Sequence, residues 1–230
     1  MQENIWENEY KNPKLVTLSK ETITSVKDFV RYLRKERKFD FSNISILDLG
    51  CGNAKNGLYI AEQGLNNKLF GIDISETALK YAKELAPQGE FIKGSIGKKI
   101  NFPDSTFDII LDITSSNSLS ESERKVYLNE IQRTLKPGGY LFVRSLCKDG
   151  DTNAKNLLKS NPGKEIDTYI MPEFGLVERV FTRNDLCGNY SHIGEMLYIV
   201  KETHYTKFNN KSYKRNFWIS CWKKGNEYMA

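Results

Sequence analysis

The run Ser45-Ile46-Leu47-Asp48-Leu49-Gly50-Cys51-Gly52-Asn53-Ala54-Lys55-Asn56-Gly57 constrains the fold more than any other part of this 230-residue chain. Its first five residues read as a buried strand, its glycines as a tight loop, and the residues behind them as a helix. A backbone that turns sharply and lets a ligand lie against it needs residues without side chains. Gly50 and Gly52 supply them where the strand ends. An open α/β sheet holds a mononucleotide-like group at such a junction.

Strands and helices alternate on either side of this run. Residues 1–20 read as an irregular leader carrying Trp6 and Tyr10, followed by a helix over 20–37 with Ser19 as its N-cap. A helix is expected over 56–63 with Gly64 as its C-terminal cap. Lys68–Asp73 is a second strand ending in a carboxylate. Ser75 caps the next helix, on which Leu79, Ala82 and Leu85 share a face and which Pro87 stops. Glu90–Gly94 and Phe107–Asp112 are the third and fourth strands. Ser120 and Glu123 form a capping box for a helix that runs to about Leu135 and stops at Pro137-Gly138-Gly139. Tyr140–Val143 is the fifth strand. Residues 147–190 are polar, with one helix near Asn153–Lys159 and loop signals at Asn161-Pro162-Gly163 and Met171-Pro172. The end reads as a hairpin, Met196–Thr206 and Tyr213–Trp222, turning near Asn209-Asn210. The expected fold is α/β: a doubly wound, mostly parallel seven-stranded sheet with helices on both faces and an antiparallel C-terminal hairpin. Residues 1–230 are read as one domain, divided into a leader and helix (1–43), a core (44–146), an elaboration (147–190) and the hairpin (191–230).

Apolar residues make up 39% and charged residues 27% of the chain, which suits a globular protein. No apolar run approaches the roughly 20 residues of a membrane helix. The polar, acidic start lacks the pattern of a secretory signal, so the expected location is cytoplasmic. Cys51, Cys147, Cys187 and Cys221 are scattered, and with only His192 and His204 beside them no metal site is expected. The net charge of +5 is mild. The basic run Arg31–Lys38 lies on an amphipathic helix and reads as a solvated face rather than a nucleic-acid patch.

Two carboxylates mark the ligand. Asp73 ends the second strand 23 residues after Gly50, where a doubly wound sheet faces a ribose. Asp48 lies inside an apolar strand and needs a partner, such as a cofactor amino group. The nicotinamide fingerprint GxGxxG fails because its third glycine is Lys55, and the phosphate-loop pattern GxxxxGK[ST] is absent.

Ile46–Ala54 resembles motif I of the class I S-adenosylmethionine-dependent methyltransferases, Asp-x-Gly-x-Gly-x-Gly, with Ala54 in place of the last glycine. Phe70–Ser75 resembles the ribose-binding strand end of that family, Phe102–Ile110 its approach to the fourth strand, and Leu135–Leu141 its turn before the fifth. The resemblance covers about residues 44–145, and the terminal hairpin suits the family's sixth and seventh strands.

The resemblance implies S-adenosyl-L-methionine as cofactor and S-adenosyl-L-homocysteine as product. Gly50, Cys51 and Gly52 would pass close to the methionine moiety, and Asp48 would orient its amino group. Asp73 would hold the ribose hydroxyls, with Ile74 against the adenine and Gly94, Ser95 and Ile96 flanking it. Many members carry an acid near position 95 for the adenine amino group, and Ser95 replaces it here. Asp112 and Ile113 would face the sulfonium through backbone. Thr114–Leu119 would line the acceptor opening. The stretch from Gly150 to Phe181 lies where the family places its substrate-specifying insert.

Methyl transfer from a sulfonium needs alignment above all, and a base only if the acceptor must lose a proton, so no catalytic residue is assigned. Trp6, Tyr10, Tyr169, Phe181, Tyr190, His192 and His204 are candidates for an aromatic lid, with ordinary packing favoured for each. A small-molecule acceptor is the leading expectation. The Asn-Pro-Pro-aromatic motif of amino-directed DNA methyltransferases is missing. An RNA or protein acceptor and a non-catalytic cofactor-binding module stay open as alternatives, and nothing in the sequence bears on oligomeric state.

Overall fold

The computed structural model of the chain describes residues 2–16, 18–208 and 211–225. Five strands come first: β1 (Ser45–Leu49), β2 (Lys68–Asp73), β3 (Glu90–Lys93), β4 (Phe107–Ile113) and β5 (Leu135–Leu146). They are mutually parallel, with a helix crossing between β1 and β2, β2 and β3, and β4 and β5, and a loop carrying β3 to β4. Two short strands, β6 (Thr168–Met171) and β7 (Leu176–Arg179), form a separate hairpin. The last two, β8 (Gly194–Phe208) and β9 (Lys211–Lys224), join the main sheet antiparallel beside β5. The main sheet has seven strands in the order β3-β2-β1-β4-β5-β9-β8. Its order reverses between β1 and β4, the crevice where open α/β sheets take their ligands.

The strand alternation decides which helices cover which face. Ile46, Ile109, Leu111 and Phe142 point to one side, where they meet Val26, Phe29, Val30 and Leu33 of α2 (Thr24–Glu36) and Ile60 of α3 (Lys55–Ala61). Leu47, Leu49, Ile110, Leu141 and Val143 point to the other. There Tyr127, Leu128 and Ile131 of α5 (Glu121–Thr134) and Leu186 of α7 (Arg183–Tyr190) close over them. Burying each large apolar side chain contributes about 1.5–3 kcal/mol, so the α2 stripe alone secures that helix.

Several boundaries differ from the sequence expectation. The leader contains a helix, α1 (Gln2–Lys11). Ser19 does not cap α2; its hydroxyl accepts from the Glu21 N–H instead. The helix starts at Ile23, whose N–H donates to Asn56 Oδ1 at 3.2 Å. Gly64 is not the cap of α3, which ends at Glu62. A Cβ on Gly64 would lie 2.1 Å from the Phe41 carbonyl oxygen, so close backbone approach explains this glycine. Strand β5 begins at Leu135, and Pro137-Gly138-Gly139 falls where its pairing with β4 slips.

Residues 147–190 hold more order than one helix. They contain α6 (Thr152–Ser160), the β6–β7 hairpin and α7, which begins with a capping box between Thr182 and Asp185. Ser75 caps α4 (Glu76–Leu85) and Ser120 with Glu123 caps α5, both as the sequence implies. The expected turn at Asn209-Asn210 lies outside the described residues. Arg31 pairs with Asp28, and Arg34 reaches Gln63 on an exposed face of α2. No helix among the described residues is long and apolar enough to cross a membrane.

Candidate functional site

The ends of β1, β2 and β4 open into one cleft, at the sheet position where open α/β folds take their ligands. The glycine loop forms its floor. Gly50 and Gly52 take left-handed backbone angles, φ 68° and 55°, and Ala54 does the same at 60°. Ala54 therefore occupies, at some strain, a conformation that glycine adopts freely. A Cβ on Gly50 would meet the Ser115 hydroxyl at 2.2 Å, and Ser115 Oγ donates to the Gly50 carbonyl at 3.2 Å. The loop after β4 is thereby held against the loop after β1.

Asp73 joins the two sides of the cleft floor. One carboxylate oxygen accepts the Gly52 N–H at 2.8 Å, the other the Ser75 N–H at 2.8 Å. Its side chain lines the cleft although the residue is only 6% exposed. Burial pushes its pKa up and the backbone N–H donors oppose this.

Two more carboxylates lie behind the wall. Asp48 is 2% exposed, and its Oδ2 accepts the Gly57 N–H at 3.2 Å. Burial, reinforced by Asp73 and Asp112, raises its pKa to about 8 despite that donor. Asp112 is fully buried and accepts from Tyr127 Oη at 2.6 Å and from the Ser115 N–H at 3.0 Å. Burial raises its pKa too. It orients the Thr114–Ser116 turn rather than lining the cleft. Asp48 lies close enough to Asp73 and Asp112 for their charges to oppose its ionisation.

Of the residues singled out from sequence, Gly50, Asp73 and Ile74 line the cleft. Gly94, Ser95, Ile96 and Ile113 line it too, with Thr114, Ser115, Ser118 and Leu119 of the expected acceptor opening. Asp48, Cys51, Gly52 and Asp112 are not among its lining residues. Cys51 is buried, and burial followed by the charges of Asp48 and Asp73 holds its thiol well above the usual range.

The cleft has a roof: Trp6 and Tyr10, two of the lid candidates, sit on a helix where the sequence suggested an irregular leader. Gln2, Trp6 and Tyr10 of α1 all face it. Trp6 and Tyr10 are four residues apart, the spacing of one helical face, which is the signal that was available. Glu7 fixes the roof to α4, accepting from Ser75 Oγ at 2.8 Å, Thr77 Oγ1 at 2.7 Å and the Thr77 N–H at 3.2 Å. These bonds, against a smaller burial effect, hold its pKa down to about 2. Glu9 accepts the N–H groups of Lys14, Leu15 and Val16, which returns Val16 to the cleft. Tyr10 is partly buried, and burial and then Asp73 lift its pKa well above the usual range. Its hydroxyl has no hydrogen-bond partner among the described residues and stands over Gly52.

The other aromatic candidates lie elsewhere. Tyr169 is buried against Glu178 and Arg215, Phe181 sits between Arg124 and Arg179, and Tyr190 bonds Tyr127. His192 is exposed, His204 pairs with Glu202 at 3.0 Å, and neither lines the cleft. Among the described residues no group of three or more His, Cys, Asp or Glu is placed to hold a metal ion.

Residues 40–179 match the profile of a family described as a methyltransferase domain. A phthiotriol/phenolphthiotriol dimycocerosates methyltransferase of Mycobacterium tuberculosis is 26% identical over 125 residues, 54% of this chain and 45% of that protein. A 2-methyl-6-phytyl-1,4-hydroquinone methyltransferase of Synechocystis is 29% identical over 168 residues, 70% of this chain and 52% of that one. The chain thus spans about half the length of the curated relatives it matches. A crystal structure described as a SAM-dependent methyltransferase from Methanosarcina mazei shares the fold, with a TM-score of 0.71 and 24% identity over 84% of this chain and 97% of that one.

Proposed function

The chain belongs to the methyltransferase-domain family, and on that premise we propose that it transfers a methyl group from S-adenosylmethionine to a small-molecule acceptor, releasing S-adenosylhomocysteine. The observation that carries this reading is the Gly52–Asp73 junction: a carboxylate, held by two backbone N–H groups, beside a glycine loop at the switch point of the sheet. The residues present fit the cofactor. The Asp73 carboxylate lines the cleft beside the glycine loop, and the unpartnered Tyr10 hydroxyl stands over that loop.

Asp73 would accept from the ribose hydroxyls. Asp48 would act on the amino group by its charge from behind the loop, since it does not line the cleft. Ile74 and Ile96 would pack on the adenine. The bound cofactor supplies an activated methyl group, so the chain's part is to align an acceptor in line with it and keep water out. Ile113, Thr114 and Ser115 form the wall on that side, with α1 as the cover. The acceptors named for the two relatives, phthiotriol/phenolphthiotriol dimycocerosates and 2-methyl-6-phytyl-1,4-hydroquinone, support a small organic acceptor. The exposed basic face of α2 lies away from the cleft residues and gives no support to an RNA substrate. Four unpaired cysteines fit a reducing compartment, and we place the protein in the cytoplasm.

The test is incubation with methyl-labelled S-adenosylmethionine and separated small-molecule, RNA and protein fractions of a cell extract. Label entering the small-molecule fraction, and lost when Gly52 is replaced by Val, is the expected result. Label entering RNA or protein alone overturns the acceptor class. Absence of both binding and transfer overturns the enzyme reading.

A further inference from the structure

Gly94, Ser95 and Ile96, which line the cleft just after β3, include no acid. Position 95 is serine, and Ser95 Oγ is engaged in accepting the Gly97 N–H at 3.2 Å. An adenine in this cleft carries an exocyclic amino group with two N–H donors, and a buried donor left without an acceptor weakens binding.

A carboxylate does reach this cleft, from another element. Glu123, in the first turn of α5, lines the same cleft as Ser95, Ile96 and Leu119. It stands against the loop after β3 so closely that a Cβ on Gly97 would lie 2.6 Å from the Glu123 Cβ. Only one of its oxygens is used by the capping box. Oε2 accepts the Ser120 N–H at 2.9 Å and Ser120 Oγ at 2.7 Å. Oε1 has no hydrogen-bond partner among the described residues.

Two neighbours add acceptors. Gln2 Oε1 and Ser118 Oγ are buried without a hydrogen-bond partner, and both belong to residues that line this cleft. The Gln2 amide is fixed the other way round, because its Nε2 donates to the carbonyls of Ser118 and Val177. Unused acceptor oxygens in the lining of one cleft match a ligand group that only donates.

We propose that Glu123, and not a residue of the loop after β3, reads the amino group of the adenine, with Gln2 and Ser118 beside it. The inference rests on the methyl-donor reading above. The capping box makes the residue unusually testable. In Glu123→Gln the side-chain oxygen must stay on the Ser120 N–H, because Gln is accepted at this capping position. The amide nitrogen then faces the cleft, where it repels an amino group and suits a carbonyl.

The experiment compares S-adenosylhomocysteine with S-inosylhomocysteine, in which that amino group is a carbonyl oxygen, by calorimetry. Wild type is expected to prefer the adenosyl ligand by about ten- to a hundredfold, the range of one hydrogen bond to a charged group. Glu123→Gln is expected to abolish or invert the preference while keeping the wild-type melting temperature within a few degrees. An unchanged preference in Glu123→Gln overturns the proposal alone, as does a preference lost in Ser95→Ala and kept in Glu123→Gln. Wild type that binds neither ligand overturns it together with the reading on which it rests.

Discussion

The Tyr10 hydroxyl stands so close over Gly52 that a Cβ added to the glycine would lie 2.5 Å from its oxygen. The next ring atom is 3.5 Å away, an ordinary contact. One hydroxyl thus sets the clearance between roof and floor. Gly52→Ala is expected to destabilise the protein through this clash and through its φ of 55°. Adding Tyr10→Phe removes the clash and leaves the backbone strain. Urea denaturation of the two single variants and the double should give a coupling on the order of 1 kcal/mol. Strict additivity would show that α1 does not rest on the loop in solution.

Asp73 accepts one backbone N–H on each carboxylate oxygen, so Asp73→Asn places an amide NH2 against one of those donors. The variant also loses the charge that strengthens hydrogen bonds from a ribose. Affinity for S-adenosylhomocysteine should fall at least about tenfold by calorimetry, the scale of one charge-assisted bond. Equal affinity in the variant would remove Asp73 from the binding site.

Asp48 gives the site a pH dependence with a definite sign. Its folded pKa, about 8, lies above its usual 3.8. Between those values the folded protein holds a proton that the unfolded chain has lost, so stability falls as pH rises and the full penalty is present above pH 8. Asp48→Asn should therefore raise the melting temperature more at pH 8.5 than at pH 5, by about 2–4 °C for each kcal/mol recovered. A cationic ligand reverses the preference, because it favours the ionised acid. Wild-type affinity for S-adenosylmethionine should rise with pH up to about 8 and then level, and the slope should vanish in Asp48→Asn. A flat wild-type profile between pH 6 and 8 would show that the Asp48 charge does not reach the ligand.

The half of the site built from strand ends was legible because the constraints there are local. A strand must end in glycines to turn, and the acids of β1 and β2 lie at fixed spacings from them. The roof was legible only as two lid candidates, Trp6 and Tyr10, and not as a helix. Gln2–Lys11 has few apolar residues, and what makes it a fixed helix is contact with distant residues, such as Glu7 on Ser75 and Thr77. The hairpin β6–β7 was hidden for the same reason: its Tyr169 is satisfied by Glu178 and by Arg215 of β9, across the insert. Helix α7 did carry a sign, Thr182 three residues before Asp185, which went unread within a polar stretch. Glu123 was read correctly as a cap, and one side chain with two oxygens can serve two purposes.

Glu7 is the residue on which the roof should depend. Its carboxylate takes three bonds at the start of α4, two from hydroxyls and one from the Thr77 N–H. The adjacent Lys11 pair at 3.2 Å is partly exposed and adds little. Glu7→Ala should release α1 without disturbing the sheet, since the core clusters contain no α1 residue. Amide exchange over residues 2–11 should then quicken while that of β1 and β4 stays at its wild-type rate. Cofactor affinity should weaken by on the order of 1 kcal/mol, because the free energy of ordering the roof is now drawn from binding. The pH dependence has the opposite sign to that of Asp48. The Glu7 pKa is lowered from 4.5 to about 2, so its contribution is complete above pH 4.5 and is lost as pH falls toward 2. Protection of α1 in exchange measurements should consequently be constant from pH 5 to 8 once intrinsic rates are removed. A roof whose protection changed across that range, or survived Glu7→Ala intact, would be held by something other than this carboxylate.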